Sequence, residues 1–216
     1  MAKAGSIQDR LLAMEEGGLW DALEQWVQAN LVTIGVVIAS LVLLAGGGFY
    51  WRHQRASALE NLRTGILALQ SGDAQKALED FQKISTSSLS NTERTLAGLY
   101  LGEAYTTLGK ADTAVTSYEQ ALVAVRKSKS GNYLEQLLLV RVAQNAENKG
   151  TDVEARKAYE QAAGIEGPLK AESLAAAARL SEKLNDSAGA KVFYEKLTSL
   201  DPTYPLMEVF QEKIAK

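Results

Sequence analysis

The sequence contains no cysteine and only one histidine among its 216 residues. Without cysteine the chain can form neither disulfides nor thiolate metal sites, so its composition fits a reducing or an oxidising compartment equally well. The histidine, His53, stands next to Arg52 and close to Arg55, with no acidic or metal-ligating partner nearby in the sequence. We expect it to be an interfacial side chain, because acid–base and metal sites need converging partners.

The motifs of common catalytic sites are also missing. The sequence has no glycine-rich phosphate loop, no serine with a histidine base and no cluster of metal ligands. Acidic residues such as Glu79 and Asp80 fall in helical segments, where we expect a solvent-exposed face. The chain is therefore predicted not to be an enzyme and to have no catalytic residues, no cofactor, no metal and no small-molecule substrate.

Positive charge is not in excess, since the formal net charge at pH 7 is −3. The one local basic cluster, formed by Arg126, Lys127 and Lys129, is short and fits a solvated loop. Recognition of nucleic acid needs a basic stripe or patch. We expect no nucleic-acid partner.

One long stretch lacks charge altogether. No charged residue lies between Gln25 and Trp51, and residues 31–50 carry only Thr33 and Ser40 as polar side chains. A helix of about 20 apolar residues spans the roughly 30 Å hydrocarbon core of a bilayer. Aromatic residues, which favour the headgroup region, bracket this stretch: Trp20, Trp26, Phe49, Tyr50 and Trp51. The sequence predicts a single membrane-spanning helix over residues 31–51, with the lipid bilayer as a partner.

The segment before this helix, residues 1–30, is acidic and amphipathic. Its apolar residues Leu19, Leu23, Trp26 and Val27 recur at helical spacing. Its acids outnumber its bases: Asp9, Glu15, Glu16, Asp21 and Glu24. An acidic segment before a long apolar run is not a cleaved signal peptide, which would be basic and shorter. Contact with a protein partner and an interfacial extension of the helix remain the two interpretations of this segment.

The remainder, residues 52–216, is rich in alanine, leucine, glutamate and lysine and has no proline before Pro168. This composition indicates an all-α domain. A repeat runs through it, most clearly in these residues: Leu101, Gly102, Tyr105, Gly109, Ala114, Tyr118, Ala121 and Leu122. The pattern is that of the tetratricopeptide repeat, in which small residues on one helix accept the large aromatic residue of its partner.

The same frame fits the rest of the domain, because a small residue recurs as Ala77, Ala114, Ala155 and Ala190, at intervals slightly longer than the ideal of about 34 residues. The extra residues fall in expected loops at 85–92 and 127–132. We predict an α-solenoid of four tetratricopeptide-like helix pairs, closed by a C-terminal capping helix over residues 205–216.

Such a solenoid offers a concave face lined by the first helix of each pair, suited to a peptide or a partner's helix. In the repeat frame the candidate groove positions are Leu62, Ile66, Leu69, Leu99, Glu103, Thr106, Val140, Gln144 and Glu147, with Arg179 and Glu182 further on. The set lacks the paired lysines and asparagines with which chaperone-tail-binding repeats hold a terminal carboxylate. The sequence therefore predicts protein–protein interaction by another mode.

The order of features resembles the YfgM-like family, ancillary subunits of the SecYEG translocon in bacterial inner membranes. The features are an acidic N-terminal segment, a single span, an aromatic-Arg-His exit and alanine-rich degenerate repeats. The resemblance implies a single-pass inner-membrane protein with periplasmic repeats that links the translocon or secreted clients to periplasmic chaperones.

Two questions remain open at this stage. Arg52, Arg55 and Arg63 follow the span, and the positive-inside rule would place the repeats in the cytoplasm, opposite to the orientation that the resemblance implies. The alternative function is a structural or assembly subunit of another inner-membrane complex.

Overall fold

A computed structural model of the chain describes residues 21, 23–24, 26–84, 86–128, 131–200, 209, 212 and 213. The helices are α1 (Leu31–Gln70), α2 (Ala74–Gln82), α3 (Asn91–Thr107), α4 (Ala111–Lys127), α5 (Asn132–Asn148), α6 (Asp152–Ala163), α7 (Lys170–Lys183) and α8 (Ser187–Leu200), with a short 3-10 turn at Thr86–Ser88. The all-α prediction is confirmed. Most of the acidic N-terminal segment and of the predicted capping helix lies outside the described residues.

The chain divides into two compact units, residues 1–53 and 54–216. In the first unit, helix α1 carries the apolar run, and Val32, Leu43 and Phe49 are 82%, 76% and 75% exposed. Within the described part of the chain, α1 is the one helix long and apolar enough to cross a membrane. Among the described residues, none of the apolar side chains of residues 31–50 belongs to a core cluster.

In the second unit the helices form antiparallel pairs, and small residues let the two helices of a pair approach closely. A β-carbon built on Gly102 in α3 would lie 2.3 Å from Cε1 of Tyr118 in α4, and one on Gly65 in α1 would lie 2.4 Å from Cε1 of Phe81 in α2. Ala143 and Ala178 hold the corresponding place in α5 and α7, and both are fully buried. The predicted packing of aromatic residues against small ones is confirmed.

The turn inside each pair repeats one backbone arrangement. Gly72, Gly109 and Gly150 have φ values of 85°, 72° and 78°, and the fourth turn uses Asn185 with φ of 62°. The next residue in each turn donates its N–H to a carbonyl five residues back: Asp73 to Ala68, Lys110 to Tyr105, Thr151 to Ala146 and Asp186 to Ser181, at 2.8 to 2.9 Å. This is the Schellman motif, which ends a helix with a left-handed residue.

The loops between pairs are held by side chains. Ser90 and Glu93 form a capping box at the start of α3, where Glu93 Oε2 accepts the Ser90 N–H at 2.7 Å. Gln136 in α5 is fully buried and reaches the loop between α6 and α7. Its Nε2 donates to the carbonyls of Ala162 at 3.2 Å and Ile165 at 2.7 Å, and its Oε1 accepts the Leu169 N–H at 3.2 Å. One buried side chain therefore satisfies several loop backbone groups.

The core falls into two clusters. The smaller one joins α1 to α2 and α3 through Leu62, Phe81 and Ala104, and the larger one runs from Leu99 to Leu197. Because each helix pair buries its apolar face against the next pair, the stack forms a solenoid.

The inner face as a candidate binding site

The first helices of the pairs bring predicted groove residues together in one cavity. This inner cavity, of about 280 Å³, is lined by Leu69, Glu103, Thr106, Thr107, Tyr118, Arg141, Gln144, Asn145 and Asn148. The lining comes mainly from α1, α3 and α5, so consecutive pairs build it jointly. Leu69, Glu103, Thr106 and Gln144 were expected on this face, whereas Arg141 and Asn145 were not.

Leu62, Leu99 and Val140 do not reach the surface of this face. They are 7%, 4% and 3% exposed and belong to the core clusters. Each lies three residues before the small residue that accepts the aromatic ring, on the side of the helix turned toward its neighbours. A carboxylate placed at Leu99 or Val140 would be buried without a partner and would destabilise the fold.

The remaining predicted positions are half-buried. Ile66 and Leu69 pack at the edge of the smaller core cluster. Glu103, Thr106, Gln144 and Glu147 have intermediate exposure. The accessible part of the inner face is consequently more polar than the sequence pattern indicates.

Ion pairs join the first helices of successive pairs. Arg141 Nη2 in α5 lies 3.0 Å from Glu103 Oε1 in α3, and its Nη1 donates to Gln144 Oε1 at 3.0 Å. Arg179 in α7 donates to both carboxylate oxygens of Glu147 in α5, at 2.6 and 2.8 Å. Each of the predicted groove glutamates, Glu103 and Glu147, is therefore paired with an arginine. A partner would meet paired charges rather than an excess of one sign.

Glu182 continues the series, because Lys213 Nζ lies 2.6 Å from its Oε2. The two hydrogen bonds from Arg179 are the main reason that the pKa of Glu147 is held below its ordinary value. The carboxylate of Glu147 therefore stays ionised to a lower pH than an unpaired glutamate would.

The floor of the inner cavity is uncharged. The Tyr118 hydroxyl lies 3.3 Å from Thr106 Oγ1, and Thr106 Oγ1 donates to Asn145 Oδ1 at 3.3 Å. Burial raises the pKa of Tyr118, so its phenol stays protonated at neutral pH. Tyr118 and Asn145 are 1% and 3% exposed. The half-buried Thr106 and Gln144 therefore supply uncharged side chains that can hydrogen-bond to the backbone or amide side chains of a bound segment.

Asp80 differs from its expected solvent-facing position. It is 9% exposed, and Lys83 Nζ donates to its Oδ1 at 3.1 Å. That hydrogen bond is the largest cause that lowers the pKa of Asp80. Among the described residues no group of three or more acidic or histidine side chains is placed to hold a metal ion.

Comparison with known proteins identifies the repeat. The sequence model of the tetratricopeptide repeat matches residues 101–122 and 171–204, which fall on the second and fourth helix pairs. No curated protein matches the sequence.

Solved structures share the fold. The chain is similar to the structure from the functional characterisation of Pseudomonas aeruginosa pilF, with 20% identity over 72% of this chain and 66% of that one and a TM-score of 0.51. It is similar to a putative kinesin light chain of Podosopora anserina with nearly identical TPR-like repeats (19% identity, 74% and 85% coverage, TM-score 0.56). It is also similar to MamA (15% identity, 74% and 83% coverage, TM-score 0.55).

At these identities the likeness concerns the fold alone. The chain carries tetratricopeptide repeats and builds the kind of helical scaffold that binds protein partners and is typically non-catalytic.

Proposed function

We propose that this protein is a membrane-anchored scaffold that holds a protein partner on the inner face of its repeats. The observation that carries the proposal is the inner cavity, where Glu103 and Thr106 of α3 meet Gln144 of α5 and Leu69 of α1. Solenoids of stacked helix pairs present extended concave surfaces of this kind to peptides and partner helices.

The anchor in this proposal is the apolar part of α1, residues 31–51. Residues 31–50 have the length and composition of a single span, and side chains such as Val32 and Leu43 are exposed. In water an apolar surface of this extent would associate with other surfaces. A bilayer removes it from water, with residues 52–216 forming the repeat domain on one side.

The partners that we propose are the Sec translocon or its secreted clients and periplasmic chaperones. Support comes from the resemblance in the order of features described under Sequence analysis, and it implies a bacterial inner-membrane protein with periplasmic repeats. The second candidate is a structural or assembly subunit of another inner-membrane complex. It is favoured by the positive charges that follow the span, Arg52, Arg55 and Arg63, because these suit a cytoplasmic repeat domain.

Site-specific photo-crosslinking in intact membranes tests the binding face. In the test variant a photoreactive amino acid replaces Gln144 on the inner face. In the matched control it replaces Val153 on α6, the second helix of the same pair, where the native valine is 60% exposed. Both sites lie in the same helix pair, so expression and anchoring affect them equally. We expect a discrete adduct from position 144 and none of the same mass from position 153.

Mass spectrometry of the adduct decides between the candidates. Translocon subunits, secreted proteins or periplasmic chaperones support the proposal, whereas a stoichiometric respiratory or photosynthetic complex supports the alternative. Adducts from position 153 alone would show that partners bind elsewhere and would refute the inner face as the binding surface. A cysteine placed in the repeats and probed with an impermeant thiol reagent measures the orientation directly, because the chain has no native cysteine.

A further inference from the structure

A second concave feature lies away from the inner cavity, where α3 and α4 meet the end of α2 and the loop that follows it. This outer cleft has a volume of about 250 Å³. Its apolar wall includes Phe81, Ala97, Gly98, Leu101, Ala121 and Val123. The inner cavity has none of these residues in its lining, so the two features can be tested separately.

At the outer cleft one position of the repeat frame is a glycine. Leu139 in α5 and Leu174 in α7 take this position in the later pairs, and both are 3% exposed. In α3 the same position is Gly98, where a β-carbon would lie 2.8 Å from Cβ of Ala121. The close approach of α3 and α4 therefore leaves no room for a side chain at residue 98, and Gly98 contributes only backbone to the wall of the cleft.

The rim of the outer cleft is cationic. Arg94 and Lys127 are the charged residues in its lining, which contains no carboxylate. Lys127 is exposed and has no ion-pair partner among the described residues. Arg94 donates from Nε to the Leu89 carbonyl at 3.0 Å, which holds its guanidinium in place.

The comparable cleft between α6 and α8 lacks this charge pattern. Its lining includes Glu160 and Glu195 as well as Lys170 and Lys196. An excess of positive charge without a carboxylate thus distinguishes the outer cleft from its counterpart in the same solenoid.

We propose that the outer cleft binds an acidic amphipathic helix of a partner protein. A helix can lay its apolar ridge into the groove between two packed helices, with anchor residues at i, i+3, i+4 and i+7. The volume is below the range of about 300 to 1,000 Å³ typical of small-molecule pockets, and it suits one or two anchor side chains. Carboxylates flanking that ridge complement Arg94 and Lys127.

The experiment uses the full chain in mild detergent with a single introduced cysteine, which is unique because the sequence has none. Val123→Cys places an environment-sensitive bimane at the mouth of the cleft. Val153→Cys places it on α6 at similar exposure, since the native valines are 55% and 60% exposed. The probe is a synthetic helical peptide with a leucine stripe flanked by glutamates, and its matched version carries lysines instead.

We expect the glutamate peptide to give a saturable emission shift at position 123 and none at position 153, which also controls for partition of the peptide into micelles. Lys127→Glu should weaken its binding by about tenfold, because an attraction becomes a repulsion, and should admit the lysine peptide. Lys157→Glu, an exposed lysine on α6, is the charge control and should change nothing. Ala124→Leu, which fills the cleft, should abolish the shift while a circular-dichroism melt reports an intact fold.

Equal shifts at both labels, or equal binding of the two peptides, would overturn the proposal. The proposal would also be overturned if dodecanoate, and not the peptide, shifted the emission with the same dependence on Lys127. That result would assign the cleft to a free anionic amphiphile. A concentration-dependent shift without any peptide would identify a second copy of the chain as the occupant. The peptide experiment does not depend on the crosslinking at position 144. A negative result in one experiment therefore leaves the other proposal standing.

Discussion

The ring of Tyr118 occupies the space beside Gly102 so closely that a β-carbon on Gly102 would lie 2.3 Å from its Cε1. This contact brings α3 and α4 together and also places the Tyr118 hydroxyl on the floor of the inner cavity. One packing contact thus serves both the fold and the proposed binding face.

Gly102→Ala is predicted to destabilise the repeats. The added methyl group forces the ring to move, at about 1 to 3 kcal/mol for overpacking, against a gain of about 1 kcal/mol in helix propensity. We expect a net loss of about 1 kcal/mol or more in denaturant unfolding. In a Tyr118→Leu background the same change should be neutral or stabilising, and a loss of equal size in both backgrounds would disprove the contact as the cause.

Ala114→Trp is predicted to unfold the protein or to lower its stability by about 3 kcal/mol or more. Ala114 is fully buried and accepts a neighbouring helix, with no room for an indole. Ala188→Trp, on the exposed surface of α8, should stay within about 0.5 kcal/mol. Thermal melts compare the two variants, and matching melting temperatures would show that the repeat frame is misplaced.

Gln136→Leu is predicted to loosen the loop between α6 and α7. The change leaves the Ile165 carbonyl and the Leu169 N–H without their partner, at a cost of about 1 to 3 kcal/mol for such groups. We expect a stability loss of about 2 kcal/mol and faster amide exchange in residues 164–169. Gln161→Leu, at an exposed position on α6, controls for the loss of an amide. Unchanged exchange in the loop would refute the bracing role of Gln136.

Stability is predicted to fall between about pH 10 and pH 12 through Tyr159. Burial raises the pKa of Tyr159 from 10.0 to about 12, and the side chain is 5% exposed. The unfolded chain releases this proton near pH 10 while the folded chain keeps it, so the stabilisation is complete below pH 10 and is lost as the pH rises through the folded pKa. One pKa unit corresponds to about 1.4 kcal/mol, so the loss over two units is about 3 kcal/mol.

Tyr159→Phe should remove this part of the alkaline destabilisation in urea titrations at pH 8 to 12. Tyr133→Phe, at a position 50% exposed, is the matched control and should behave as the native chain. Identical alkaline profiles for the native chain and Tyr159→Phe would contradict the assignment.

Residues 52–216 are predicted to fold without the preceding segment. Every member of both core clusters lies between Ala58 and Leu197, so removal of residues 1–51 takes away no core side chain. We expect a soluble, helical fragment with a cooperative thermal transition, compared with the full chain in detergent. A fragment without a cooperative transition would refute this domain boundary.

The sequence by itself determined the helix pairs, because their contacts depend on residue types that recur in one frame. Gly65 faces Phe81 and Gly102 faces Tyr118, so each contact pairs a small residue with a large one. Residue size can be read directly from the sequence. The glycine turns were visible for the same reason. The fourth turn, at Asn185, could not be predicted in this way, because asparagine tolerates the left-handed region without requiring it.

Only the tertiary structure decided what the inner and outer faces offer to a partner. The exposure of Leu99 and Val140 depends on how closely one pair packs on the next, and a helical pattern does not contain that distance. The reach of Arg141 to Glu103, and of Gln136 to the loop after α6, likewise joins residues far apart in sequence. The outer cleft is lined by residues of α2, α3 and α4 that are distant in sequence. An empty volume between packed helices cannot be read from the sequence of any one of them.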